Sequence, residues 1–174
     1  MLPHLAGVVV ESIESTGPHL WIRAVASSAS SSCPRCGNAS SRVHSRYERT
    51  LADAAIAGRP TSLRVRVRRF FCDATDCVTH TFAEQVEGLT SRYTRRTQLA
   101  RGMLEVIGVA LAGRAGARLA ATLGLPTSRS TLLRLVRALP DPRVEKVAKL
   151  GVDDFAVRRG HCYGTVRKPG VQVN

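Results

Sequence analysis

Alternating apolar and polar residues dominate the first half of the chain and predict β-structure there. The stretch GVVVESIESTGPHLWIRAVA, residues 7–26, alternates on both sides of STGPH and predicts a β-hairpin. Within this hairpin we expect Val8, Val10, Trp21 and Val25 to face inward.

The most regular alternation lies in TSLRVRVRRFFC, residues 61–72. Successive side chains of a strand point to opposite faces, so the apolar and basic residues separate. The apolar face carries Leu63, Val65 and Val67. The other face carries Arg64, Arg66 and Arg68. This pattern predicts a strand whose exposed face is entirely positive and contacts the phosphates of a nucleic acid.

After Phe82 the apolar residues recur every three or four positions and predict helices. The first helix is expected within residues 90–112, beginning at a Thr or Ser cap, and the second within 115–126. The third is expected within 127–140, and it stops at Pro140. The last 25 residues predict a strand, a turn at RRGH and a second strand, CYGTV.

Three helices joined by short turns favour a helix-turn-helix. In that interpretation the third helix lies in the major groove of DNA, and the residues near its N-terminus contact the bases. Those residues are Ser128, Arg129, Ser130 and Arg134. The alternative is a plain three-helix bundle whose arginines are solvated.

The charge is strongly unbalanced. Lys and Arg number 26 against 13 Asp and Glu, the net charge is +13, and the pI is near 10.9. This excess predicts a polyanionic partner, nucleic acid first and an anionic membrane second. A GC-rich genome would explain the preference for Arg over Lys, but not the twofold excess of bases over acids.

The chain contains neither a stretch of about 18 apolar residues nor a secretory leader. We therefore expect no membrane association and a cytoplasmic location, in which disulfides are rare. The cysteines need another explanation, and their spacing provides one. Cys33 and Cys36 lie in CPRCG, and Cys72 and Cys77 lie in FCDATDC.

Two such pairs, about 35 residues apart, predict one structural Zn²⁺ bound by four thiolates in two knuckles. The wider spacing of the second pair leaves His44 or His80 open as a substituted ligand. Four incidental buried cysteines are the plainer alternative. Cys162 stands alone and is interpreted as a core residue.

The predicted fold class is α+β, with a small β-rich zinc-binding domain, a three-helix helix-turn-helix domain and a two-strand fragment. The expected ranges are 1–86 for the zinc-binding domain, 87–140 for the helix-turn-helix domain, 141–149 for a linker and 150–174 for the fragment.

Four segments, in this order, resemble the ISL3-family insertion-sequence transposases. They are CPRCG…SSRVHSRYERTLAD, LRVRVRRFFCDATDC…TFAEQ, GARLAATLGLPTSRSTLLRLVRALP and LGVDDFAVRRGHCYGT. The resemblance implies a zinc-binding domain with the four named cysteines as ligands, a helix-turn-helix, and an RNase H-like domain with catalytic Asp, Asp and Glu. It makes GVDD the first catalytic strand and Asp153 the first carboxylate, with Asp154 as the alternative.

In that family the chain continues well beyond YGT, whereas this sequence ends in RKPGVQVN, with no Asp or Glu after Asp154. Two-metal catalysis needs several carboxylates around cations about 3.5–4 Å apart. Adjacent strand residues point to opposite faces, so Asp153 and Asp154 cannot both line one site. We therefore expect a truncated catalytic domain, a vestigial Asp153 and no enzymatic activity; Mg²⁺ is expected only for an intact catalytic domain.

The leading functional hypothesis is a zinc-dependent DNA-binding part of a bacterial, nucleoid-associated transposase that occupies the terminal inverted repeats of its element. Its expected partner is double-stranded DNA, together with a second copy of the chain or an intact transposase. The alternatives are a free-standing DNA-binding regulator, or a transposase completed by a second polypeptide or a frameshift. An RNA-binding zinc ribbon is disfavoured because the sequence offers no evident aromatic stacking platform.

Overall fold

The computed structural model describes residues 2–141 and the backbone of residues 150–158 and 162–169. Its internal contacts divide the chain into two compact units, Met1–Ala138 and Leu139–Asn174. The domain boundaries expected at residues 86, 140 and 149 stay predictions. Residues 142–149 of the expected linker lie outside the described residues.

The first unit is dominated by one mixed β-sheet. A 3₁₀ turn, Pro3–Leu5, precedes seven strands: β1 (Val8–Thr16), β2 (His19–Ala26), β3 (Ser31–Ser32), β4 (Ala39–Ser40), β5 (Val43–Ile56), β6 (Arg59–Phe71) and β7 (Thr81–Ala83). The main sheet has the order β1-β2-β6-β5, and β7 also pairs with β6. Only the β2–β6 pairing among these is parallel, while β3 and β4 form a separate small ribbon.

The two long strands β5 and β6 form a hairpin closed by Ala57 and Gly58. Both turn residues have positive φ, 51° and 73°. A two-residue turn of this kind matches the twist of the strands it joins, and glycine enters it without a steric penalty. The hairpin therefore sets the register of the longest pairing in the protein.

The alternation predicted for residues 61–72 is confirmed in β6. Leu63, Val65 and Val67 are fully buried. The neighbouring strand β2 contributes Ile22 opposite Leu63, and Ala24 opposite Val65. These side chains form the centre of the sheet's hydrophobic core, which also includes Leu5, Val8, Leu51, Val86 and Leu89.

The hairpin predicted for residues 7–26 is present as β1 and β2, but its inward face was mostly assigned wrongly. Val8 is buried as expected, whereas Val10 is 41% exposed, and Trp21 and Val25 are only half-buried. Both faces of β2 carry apolar residues, so the local pattern left the choice open. Pairing with β6 decided it, because Ile22 and Ala24 share the face of Leu63 and Val65.

The predicted three-helix helix-turn-helix domain is wrong. Within the described residues the protein is a sheet-dominated α+β fold with two α-helices, α1 (Gln98–Thr122) and α2 (Arg129–Arg137). The first two predicted helices are joined in one element that is kinked at Ala112 (φ 53°, ψ −147°), the residue at which the first helix was expected to end. Residues 90–97, expected to open the first helix, precede it, and Thr97 is its N-cap.

Small residues explain how α1 and α2 pack closely together. A Cβ atom at Gly108 would lie 2.8 Å from Val136 Cγ2 of α2, closer than real Cβ atoms come. Glycine therefore permits the close approach of the two helices. Leu104, Ile107, Ala120 and Leu132 fill the core of this region.

A buried polar cluster ties the helices to the sheet. Asp53 of β5 is 1% exposed, and its carboxylate accepts a hydrogen bond from Thr97 Oγ1. His4 Nε2 lies 2.8 Å from the second carboxylate oxygen. Because Thr97 also accepts the amide N–H of Ala100 at 3.1 Å, one side chain caps α1 and anchors it to β5.

The second unit contains two antiparallel strands, β8 (Leu150–Arg158) and β9 (Cys162–Pro169). Residues 159–161 of the predicted RRGH turn lie outside the described residues, as does the predicted core role of the Cys162 side chain. In the part of the chain that the structure describes, no helix is long and apolar enough to cross a membrane.

Candidate metal centre and arginine surface

Four cysteines from two loops converge at one end of the sheet. Cys33 and Cys36 lie between β3 and β4, and Cys72 and Cys77 lie between β6 and β7. All four Sγ atoms lie within 4.8 Å of one another. The two halves of the predicted site, far apart in sequence, therefore form a single cluster.

Backbone hydrogen bonds shape the first cysteine loop. Gly37 N–H donates to the Cys33 carbonyl at 2.8 Å, and Cys33 N–H donates to the Asn38 carbonyl at 2.9 Å. The β3–β4 ribbon thus carries a tight turn between Cys33 and Asn38, which brings both thiols to the same side.

The second cysteine loop is longer and closes differently. Cys72 N–H donates to the His80 carbonyl at 2.9 Å, and Cys77 N–H donates to the Ala74 carbonyl at 3.2 Å. Thr79 N–H points at Cys77 Sγ at 3.5 Å. These bonds accommodate the extra residues between Cys72 and Cys77 within the loop, without changing the ligand set.

The geometry of the thiols fits a tetrahedral zinc ion. A Zn–S bond of about 2.3 Å implies an S···S separation of about 3.8 Å along each edge of the tetrahedron. Cys33 and Cys77 are 4.0 Å apart at sulfur, and Cys36 and Cys72 are 3.6 Å apart. Four soft sulfur donors at these distances match Zn²⁺, and the cluster can hold one such ion.

The electrostatics of the cluster also favour a cation. Backbone N–H groups, first that of Cys36 and also that of Arg35, lower the pKa of the Cys33 thiol to about 7. At Cys72 the backbone N–H of Ala74 favours the thiolate, but burial and the neighbouring thiols outweigh it and raise the pKa to about 12. Four thiolates cannot coexist here without a compensating positive charge, which a metal ion supplies.

Neither histidine proposed as a substitute ligand belongs to the cluster, which among the described residues consists of the four cysteines alone. The His44 ring packs edge-on against Phe71, with centroids 4.9 Å apart, and its Nδ1 lies 3.1 Å from Ser45 Oγ. His80 contributes its carbonyl oxygen to the second loop. The candidate donor set is therefore four sulfurs.

A small hydrophobic core lies beneath the cysteines. Cys33, Phe70 and Phe82 are buried together, with Val43, Cys72 and Cys77 packed against them. This core is separate from the sheet core and from the helix core. Its few side chains indicate that a metal held by the four cysteines would supply much of the local stability.

The three arginines predicted to form the positive face of β6 lie beside acids contributed by other segments. Arg66 Nη2 is 2.6 Å from Glu11 of β1, and Arg64 Nε is 4.0 Å from Glu48 of β5. The Arg64 guanidinium also covers the Trp21 ring at 4.2 Å. The expected exposed positive face is therefore largely charge-balanced.

Arg68 is structural rather than exposed. Its guanidinium pairs with Glu84, whose side chain is 1% exposed, and Arg68 Nε lies 3.1 Å from Glu84 Oε2. Burial alone would raise the pKa of Glu84, but hydrogen bonds from Arg68 and Ser28 outweigh it and hold that pKa below its usual range. Sequence reasoning missed Glu84, because nothing local in TFAEQ marks it as buried.

The residues expected to read DNA lie at the start of α2. Ser128 is the N-cap and accepts the amide N–H of Thr131 at 3.1 Å. Arg129, Ser130 and Arg134 are exposed. Within residues 2–141 neither arginine has an acid within 4.0 Å, in contrast to Arg64, Arg66 and Arg68 of β6.

Asp153, the candidate catalytic carboxylate, occupies a position in β8 opposite Val166, and Asp154 lies opposite Thr165. Their side chains lie outside the described residues.

An open groove of about 480 Å³ runs along α1. It is lined by Gln98, Leu99, Gly102, Met103, Val106, Ile107 and Leu123. The lining has no titratable side chain, so this groove lacks the groups that acid–base or metal-assisted chemistry requires.

Comparison with protein families gave one match that bears directly on the cysteine cluster. Residues 29–77 match the family model described as the zinc-finger of transposase IS204/IS1001/IS1096/IS1165. Comparison with curated proteins and with solved structures gave no match. The matched segment contains all four cysteines, so residues 29–77 form a zinc ribbon of the ISL3 transposase type.

Proposed function

We propose that this chain is the DNA-binding part of an ISL3-type transposase and that it recognises the terminal inverted repeats of its element as double-stranded DNA. The observation that carries the proposal is the four-cysteine cluster inside the segment that matches the transposase zinc finger. The zinc ion has a structural role, because all four coordination positions are taken by protein sulfurs.

The distribution of positive charge supports nucleic acid as the partner. Residues 87–141 contain nine arginines and three acids. DNA phosphates bind arginine through paired hydrogen bonds, and each such contact releases a condensed counterion. We place the main DNA contacts on Arg129 and Arg134, with Ser128 and Ser130 beside them. Arg64 and Arg66 add weaker contacts, and Arg68 serves chiefly to hold Glu84.

We propose further that these 174 residues do not cleave DNA by themselves. Two-metal phosphoryl transfer needs carboxylates from several positions, and the sequence contains no Asp or Glu after Asp154. Incubation with Mg²⁺ or Mn²⁺ should therefore neither nick nor join a duplex carrying the element ends, and Asp153→Ala should leave that result unchanged. Metal-dependent cleavage that disappears in Asp153→Ala would instead establish the chain as an enzyme.

The DNA-binding proposal is tested by fluorescence anisotropy with zinc-loaded protein. The probes are duplexes of the inverted repeats that flank the gene and scrambled duplexes of the same length. We expect the repeats to bind at least about 100-fold more tightly than the scrambled controls at physiological salt. Equal affinity for both duplexes would contradict recognition of the repeats and leave only a non-specific polyanion binder.

A further inference from the structure

Tyr93 lies in a turn, residues 91–94, between β7 and α1. Thr94 N–H donates to the Ser91 carbonyl at 3.3 Å and closes the turn. Among the large apolar and aromatic side chains of the described residues, that of Tyr93 is the most exposed, at 85%. Packing in a core therefore does not account for a tyrosine at this position.

The backbone of Tyr93 is strained as well. Its φ is 61°, in the left-handed region. The third residue of a turn adopts positive φ without a steric penalty when it is glycine, whereas a tyrosine there costs free energy. Strain of this kind is concentrated at functional sites, where the surrounding structure holds it in place. Because neither packing nor backbone geometry favours this tyrosine, we look for its role in contact with another molecule.

Arg49 of β5 holds the turn in place. Its Nη2 donates to the Ser91 carbonyl at 2.9 Å and to the Thr94 carbonyl at 3.0 Å. Both ends of the turn are thus fixed to the sheet by one guanidinium. A side chain on a fixed turn loses less conformational freedom on binding than one on a free loop.

Positive charge surrounds the exposed ring. The Arg92 guanidinium lies over the Tyr93 ring, with its carbon 4.7 Å from the ring centroid. Arg92 and Arg95 are exposed, and within residues 2–141 neither has an acid within 4.0 Å. An exposed aromatic ring beside uncompensated arginines has the chemistry that binds a nucleotide, because a base stacks on the ring and a phosphate pairs with an arginine.

We infer that Tyr93 stacks on an unpaired base of DNA while Arg92 contacts a neighbouring phosphate. Bases inside a duplex stack on one another, so the nucleotide at this turn is single-stranded. The identification of the nucleic acid as DNA rests on the proposed function. The site itself rests on the exposure, the backbone conformation and the charge of the turn.

The test uses a short single-stranded oligothymidylate that carries one 2-aminopurine, whose fluorescence is quenched when it stacks on an aromatic ring. The zinc-loaded full chain is titrated against this probe. The variants are Tyr93→Gly, Tyr93→Phe and, as the matched control, Ala57→Gly. Ala57 is the other exposed turn residue chosen because it also has positive φ, 51°.

We expect the wild type, Tyr93→Phe and Ala57→Gly to quench the probe equally, because stacking needs the ring and not the hydroxyl group. Tyr93→Gly should quench little and bind about tenfold more weakly. Both glycine variants should unfold at the Tm of the wild type or slightly above it, because glycine relieves the strain of positive φ. Equal quenching and affinity in Tyr93→Gly and Ala57→Gly would overturn the site.

The duplex measurements under the proposed function separate the two proposals. If quenching depends on Tyr93 but repeat and scrambled duplexes bind alike, recognition of the repeats fails and the stacking site stands. If the repeats bind specifically but quenching does not depend on Tyr93, the site fails and the proposed function stands. Sedimentation velocity examines a protein partner: if Tyr93→Gly dissociates a dimer and leaves oligonucleotide affinity unchanged, the turn is a contact between copies and the inference is overturned.

Discussion

The sheet and the helices use arginine in opposite ways. Residues 1–86 contain ten arginines and seven acids, and five of these arginines form ion pairs: Arg23, Arg42, Arg64, Arg66 and Arg68. Residues 87–141 contain nine arginines and three acids, and in this described segment only Arg101 forms a pair, with Glu105. The charge available to a polyanion is therefore concentrated in the helical region.

The two regions also differ in what stabilises them. The sheet has a large hydrophobic core centred on β6, and the helices share a smaller one around Leu104 and Leu132. The cysteine end of the sheet has only a minimal core under the candidate metal. Local stability should depend on the metal at that end and on apolar packing in the helices.

Removal of zinc should cause the largest loss of stability. This loss should be confined to the cysteine end of the sheet and should spare the helices. Purified under reducing conditions, the chain should contain one Zn²⁺, and a chelator should unfold the cysteine loops, β7 and the end of β6. Structural zinc contributes about 10 kcal/mol or more to folding in small zinc domains at neutral pH. Hydrogen exchange, read residue by residue, should show that Leu104 and Leu132 keep their protection.

Cysteine variants provide the matched control for this prediction. Cys33→Ser should lose the stoichiometric metal, whereas Cys162→Ser should keep it, because Cys162 does not belong to the cluster sequence CPRCG…CDATDC. A wild-type protein without zinc, or equal metal loss in both variants, would contradict the metal centre.

Breaking the buried ion pair between Arg68 and Glu84 should give the next largest loss of stability. Glu84→Gln leaves the Arg68 guanidinium without its charge partner and should destabilise the protein by about 3 kcal/mol in urea unfolding. Glu48→Gln removes the exposed partner of Arg64 and should cost less than about 1 kcal/mol. A similar loss in both variants would show that burial does not distinguish the two pairs.

The ion pair between Arg68 and Glu84 also predicts that the stability of the fold depends on pH. The pKa of Glu84 in the folded protein lies below its usual range because of Arg68 and Ser28. The ionised carboxylate therefore stabilises the fold above the unfolded-state pKa of about 4.3. This contribution should be lost as the pH falls through the lower folded-state pKa. The stability difference between wild type and Glu84→Gln should narrow over that acidic range.

DNA binding should distinguish the unpaired arginines of α2 from the paired ones of β6. Replacing Arg129 and Arg134 together with alanine should weaken binding about 30-fold, or about 2 kcal/mol. Replacing Arg64 and Arg66 together should weaken it about threefold, since each is already engaged by an acid. A larger loss from the β6 pair, measured by anisotropy at one salt concentration, would reverse the comparison.

Substitutions that remove a helix N-cap should give the smallest loss of stability. Ser128→Ala removes only the N-cap of α2 and should cost about 1 kcal/mol of unfolding free energy. Thr97→Ala should cost somewhat more, about 2 kcal/mol, because it also removes the hydrogen bond to the buried Asp53. Ser130→Ala, at an exposed position beyond the cap, is the control and should be nearly neutral. Equal costs at Thr97 and Ser128 would show that the link between α1 and β5 adds nothing.

The sequence by itself determined the features that depend on short-range spacing. Two close cysteine pairs specified the candidate ligand set, because a zinc knuckle requires its two thiols within one tight turn. The alternation in residues 61–72 specified β6 and its buried face, because side chains alternate along any strand. The net charge and the preference for arginine were likewise properties of composition alone.

Only the tertiary structure decided which side chains meet. Glu11 and Glu84 reach the arginines of β6 from 55 and 16 residues away, so the local pattern of β6 showed a positive face that other segments largely neutralise. The same reason explains the packing of α2 on α1 and the buried face of β2. Gly108 packs on Val136, and Ile22 pairs with Leu63. Such long-range contacts bury apolar surface that the local pattern of a strand or helix leaves undecided.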